Sequence, residues 1–120
     1  MLRVVLILLL AVLVGLVAWL ERPRSTPPIT GDDGRPLPES IAVLEPIRIG
    51  GLEQWLLIRG RDRSAPVLLW LHGGPGAAQI PLARAYNGAL EEDFIVVHWD
   101  QRGAGLSNPR DFDPGTMTFA

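Results

Sequence analysis

Cysteine is absent from the 120 residues, and so is lysine: all 11 basic side chains are arginine. Without thiols there are no disulfides, no thiolate nucleophile and no cysteine-built zinc site. Only two histidines occur, His72 and His98, too few for a histidine-rich metal centre. Positive charge is scarce where it would matter for nucleic acid. Residues 25–120 carry 8 Arg against 12 Asp and Glu, a net of −4, whereas phosphate recognition needs a basic face. Residues 1–20 lack charge almost entirely, with Arg3 alone. Arginine in place of every lysine points to base composition, since it follows from no single function. What is present is a chain of one-domain length, 48% apolar and 20% charged, in the range of folded proteins.

The sequence divides into three parts. Val4–Leu20 is a 17-residue run without a charge. As a helix it would rise about 25 Å, near the roughly 30 Å of a bilayer core. Trp19 falls at the interfacial level, and Glu21, Arg22, Pro23 and Arg24 end the run. Residues 1–21 are therefore expected to be a transmembrane anchor, with a cleaved signal or a buried core helix as alternatives. A cut after Ala18 would leave the large Leu16 where a small residue is wanted. The expected location is a single-pass membrane protein contacting the bilayer through residues 4–20, with the main domain outside the cytoplasm. Residues 22–40 hold five of the 11 prolines and the turn residues Asp32, Asp33 and Gly34. That composition predicts an extended linker.

Residues 41–120 read as strand, strand, strand, helix, strand. Strands are expected at 41–49, 52–59, 66–71 and 94–99, with Gly50-Gly51 as a hairpin turn. Pro66–Leu71 is continuously apolar, the pattern of a strand buried on both faces. Leu82, Tyr86, Ala89 and Leu90 recur at helical spacing, predicting a helix over 80–91 that Asn87-Gly88 weakens.

Two glycine-rich loops follow apolar strands. The first is His72-Gly73-Gly74-Pro75-Gly76. Nearly free of side chains and stiffened by Pro75, it can present backbone N–H groups to a developing oxyanion. A phosphate loop would need a lysine the chain does not have. A plain tight turn is the bland alternative. The second loop, Asp100-Gln101-Arg102-Gly103-Ala104-Gly105-Leu106-Ser107, begins 28 residues after His72.

HGGPG after one strand and DQRGAGLS after the next together resemble the α/β-hydrolase superfamily, and within it the proline iminopeptidase type. The resemblance covers residues 41–120. It implies the N-terminal portion of an α/β-hydrolase sheet, preceded here by a transmembrane helix, with strands in the order first, second, fourth, third and the second antiparallel to its neighbours. It implies that the Gly74 N–H, or else that of Gly73, supplies half of an oxyanion hole, with His72 and Pro75 shaping the loop and Gly74–Pro75 a candidate cis bond. His98, Asp100 and Arg102 take structural roles. No cofactor and no metal is implied, and the substrate would be a small peptide or ester. The family's G-x-S-x-G nucleophile elbow is missing. Gly105-Leu106-Ser107-Asn108-Pro109 comes nearest, but Ser107 belongs to the DQRG motif. With nucleophile, acid and base absent, these 120 residues are expected to be an inactive part of a membrane-anchored serine hydrolase. The alternatives are a non-catalytic membrane-anchored remnant and an esterase of the same fold. The outer edge at Pro66–Leu71 is expected to lie open.

Overall fold

The computed structural model describes residues 2–20, 22–74, 76–109 and 113–116. Four strands form one sheet: β1 (Ile41–Ile49), β2 (Leu52–Gly60), β3 (Val67–Leu71) and β4 (Ile95–Asp100). Their order is β1-β2-β4-β3. β2 runs antiparallel to both neighbours, and β3 and β4 are parallel. This is the expected strand order, and each strand lies within one residue of its expected span.

Alternation along β4 places Val96, His98 and Asp100 on one face, all buried. Opposite them in register are Arg59, Leu57 and Trp55 of β2. The α-helix α2 (Ile80–Tyr86) covers this face with Ile80 and Ala83. Its second residue is Pro81, whose missing N–H costs nothing in a first turn. The expected helix over 80–91 ends early: after Asn87 the chain tightens into a 3-10 turn at Gly88–Glu92. Glycine at this point makes continuation of the α-helix unfavourable. Leu82 and Tyr86 are 57% and 79% exposed, so the buried stripe is not the one their spacing suggested.

The opposite face carries Leu56, Ile58, Val97 and Trp99, and continues into Leu69 and Leu71 of β3. β3 is the outer strand, with Val67, Leu69 and Leu71 each more than half exposed. Its expected burial on both faces is therefore corrected; its open edge is as expected.

The Pro-rich segment docks on the sheet. Thr26 and Ile29 are buried, and Arg59 Nη1 donates to Thr26 Oγ1 and to Pro27 O, both at 2.7 Å. The Arg59–Glu91 ion pair (2.8 Å) fixes that guanidinium against the 3-10 turn. Arg84 Nη1 reaches the same hydroxyl at 2.9 Å. A short bridge, Thr30 with Pro36, folds residues 30–36 back on themselves. Arg24 stacks over the Trp55 ring, 5.3 Å from its centroid.

Two expectations are overturned. The described residues form a mixed four-stranded sheet with two α-helices, not an α/β-hydrolase fold. Such a fold covers both faces of a mostly parallel sheet with helices; here β3–β4 is the single parallel pairing, and α2 lies on one face. The second concerns the first helix, α1 (Leu2–Leu20), exposed along residues 4–20. No helix among the described residues is long and apolar enough to cross a membrane. The transmembrane helix, and with it the single-pass membrane localisation, the bilayer contact through 4–20 and the outward placing of the main domain, is withdrawn. The buried-core alternative for α1 fails as well, because its described side chains are exposed.

Candidate active-site loops

β3 and β4 are parallel neighbours, so the loops that follow them leave the sheet side by side at its carboxyl edge. In open α/β sheets this edge is where ligands bind. The registered pair Leu71–Trp99 is the last rung between the two strands. One residue later on β3 comes His72; one beyond Asp100 on β4 comes Gln101.

The loop after β4 is built as a scaffold. Asp100 is 2% exposed, and its Oδ2 accepts the Leu106 N–H at 2.9 Å. Ser107 Oγ donates to the Asp100 carbonyl oxygen and accepts the Trp55 N–H at 2.7 Å. The hydroxyl is buried and both its roles are filled, as suits a structural residue rather than a nucleophile. Gly103 and Gly105 take positive φ, +77° and +48°. A Cβ on Gly105 would collide with the Asp100 carboxylate and come within 2.6 Å of Ala78 Cβ. That close approach locks the second loop against the end of the first. Arg102 Nη2 donates to Gly50 O at 3.2 Å, tying the loop to the β1–β2 hairpin.

The loop after β3 is open. Gly73 and Gly74 are exposed, and a Cβ on either would meet nothing within 4 Å. Gly74 sits at φ +55° and Gly76 at +85°, a conformation that L side chains resist. Pro75, and with it the cis candidate Gly74–Pro75, lies outside the described residues. Ala77 N–H bonds back to Gly74 O at 3.2 Å.

His72 joins the two loops. Its Nε2 accepts the Gln101 backbone N–H at 3.1 Å, and its own carbonyl accepts the Gln101 side-chain amide at 3.2 Å. An accepting Nε2 places the proton on Nδ1, which donates to Gly73 O at 3.3 Å. The structure thus brings together His72, Gly73 and Gly74, and adds Gln101, which sequence reasoning passed over.

His98 stays apart from these loops. It is 5% exposed in β4, its ring 5.9 Å from that of Trp70. Burial lowers its pKa, with Glu91 and Asp100 pulling weakly the other way. Its Nδ1 and Asp100 Oδ1 are buried without a protein partner. Among the described residues no three His, Cys, Asp or Glu are placed to hold a metal ion.

No family model matches the chain, and no solved structure matches it with significance. One curated protein does. The chain is 48% identical over 84 residues, 70% of its length, to the probable aminopeptidase YbaC of Bacillus subtilis (strain 168), and it spans 26% of that protein. In sequence, the chain is aminopeptidase-like.

Proposed function

We propose that these residues form part of a peptidase of the aminopeptidase type, and that the His72–Gly76 loop supplies backbone N–H groups to the oxyanion of the reaction. The observation that carries this reading is the 48% identity to a probable aminopeptidase. The loop geometry supports the assignment of roles. Gly74, with Gly73 as second choice, is exposed at the carboxyl edge of the parallel pair with open space where a side chain would stand, in a segment held by hydrogen bonds. Donors fixed in advance lower the barrier because they need no reorganisation as charge develops. The substrate would be a short peptide with a free amino terminus, and the HGGPG…DQRGAGLS pairing favours N-terminal proline.

Ser107, the nearest approach to a nucleophile elbow, is not free to attack, since its hydroxyl is bonded on both sides. Residues 1–120 alone are accordingly expected to be inactive, and the assay belongs to the complete gene product that carries them. It compares prolyl-arylamide, the same arylamide with its amine acetylated, and an aryl ester. An aminopeptidase cleaves the first and spares the second. Rapid ester cleavage with no arylamide turnover would replace this reading with an esterase.

A further inference from the structure

We infer that Gln101 is a positioning residue that aims the Gly73 and Gly74 N–H groups at the reacting oxygen, an inference that rests on the aminopeptidase reading of the same loop.

The argument starts where the β3–β4 ladder stops. After the Leu71–Trp99 rung the two backbones diverge, and the next groups would be left without partners. Two side chains extend the ladder instead. The His72 ring accepts the Gln101 backbone N–H, and the Gln101 amide donates to the His72 carbonyl. Each residue satisfies the backbone of the other.

The consequence lies in peptide planarity. His72 C=O and Gly73 N–H belong to one rigid unit and point in opposite directions. Holding the carbonyl at 3.2 Å therefore fixes the direction of the Gly73 N–H. The next unit is held the same way. Gly73 O accepts His72 Nδ1–H at 3.3 Å, and that bond orients the Gly74 N–H. This second bond exists only in the Nδ1–H tautomer, which the Gln101 backbone N–H selects by donating to Nε2. Both candidate donors are glycine amides with no side chain to steer them. Their aim comes from the carbonyls behind them, and both carbonyls lead back to Gln101.

Gln101→Glu and Gln101→Met in the complete gene product test this. Glutamate keeps the shape but cannot donate to the His72 carbonyl; methionine removes the donor without adding charge. Both variants should fold and bind substrate, with KM within about twofold of wild type. Turnover should fall about 10- to 100-fold, the scale on which small misplacements of reacting groups act. The Gly73 amide resonance in 15N-glycine-labelled protein should shift in both variants, while the bond behind Gly74, which runs through the Gln101 backbone N–H, is kept. The His72 ring in wild type should show a bare Nε2 and a protonated Nδ1 by 15N chemical shift. Unchanged kcat in two folded variants would overturn the proposal, and so would a Gly73 amide shift identical to wild type. The glycine and histidine spectra do not require activity. A wild-type protein inert towards arylamides would defeat the aminopeptidase reading while leaving the spectra to decide the clamp.

Discussion

The two loops at the carboxyl edge leave adjacent parallel strands, and both are glycine-rich, yet they are built to opposite ends. The 101–107 loop folds inward: Ala104 and Ser107 are buried, Asp100 is 2% exposed, and Gly105 makes room for close packing. The 72–76 loop faces outward, and its first two glycines border open space. Glycine thus has two meanings here. At Gly105 it permits two chain segments to touch; at Gly74 it permits a positive φ on an exposed loop. The comparison teaches that the tightly packed loop is the scaffold, and that under the proposed function the open one would carry the chemistry. Substitutions should accordingly hurt stability in the first and chemistry in the second.

The sharpest way to break that contrast is Gly105→Ala. The φ of +48° costs an L residue about 1–2 kcal/mol. The collision with Asp100 and Ala78 adds about 1–3 kcal/mol of overpacking. Denaturant unfolding of the complete gene product should show a loss of about 3 kcal/mol. Next in size is Ser107→Ala, which leaves the Trp55 N–H without its acceptor. A buried donor stranded in this way costs about 1–3 kcal/mol. The folded variant should keep its kcat, because the hydroxyl is structural.

Gly74→Ala should cost about 1–2 kcal/mol from its φ of +55° alone, since nothing obstructs the added methyl. A smaller effect is expected from pH through His98, whose buried ring favours the neutral form. The unfolded chain binds that proton where the folded one does not, so stability should decline as pH falls below about 6.5. His98→Leu should flatten the slope in thermal melts taken across that range. The smallest change belongs to Gly73→Ala, which meets open space without a positive φ and should stay within about 0.5 kcal/mol of wild type.

The strands were legible because period-two alternation and the Gly50-Gly51 turn are local signals. Asn87-Gly88 was a local signal too, but the expected helix was carried through it to residue 91. The buried stripe of α2 was not. A seven-residue helix contains two turns, and Leu82–Tyr86 fits a helical period as well as Ile80–Ala83 does. β3 was misjudged because an apolar run reports only that burial is favourable; its place at the edge is set by sheet order. The docking of Thr26 under Arg59 and Arg84 joins side chains 33 and 58 residues apart, beyond the reach of composition. At the site, the glycines of both loops announced themselves. Gln101 did not, because its bond to His72 exists only once the parallel register aligns two strand ends 29 residues apart. The membrane expectation for residues 4–20 leaned on hydropathy alone, and no helix among the described residues is long and apolar enough to cross a membrane.

The central claim, that the 72–76 loop works through a backbone N–H, is tested most directly by comparing turnover in Gly74→Pro and Gly74→Ala. Both substitutions disturb the positive φ of this position, but only proline deletes the N–H. With folding confirmed by melting curves, kcat on the prolyl-arylamide should be about 10²–10³-fold lower in the proline variant than in the alanine variant, the usual effect of losing one oxyanion donor. Equal turnover in the two folded variants would contradict the account and remove the Gly74 N–H from the reaction.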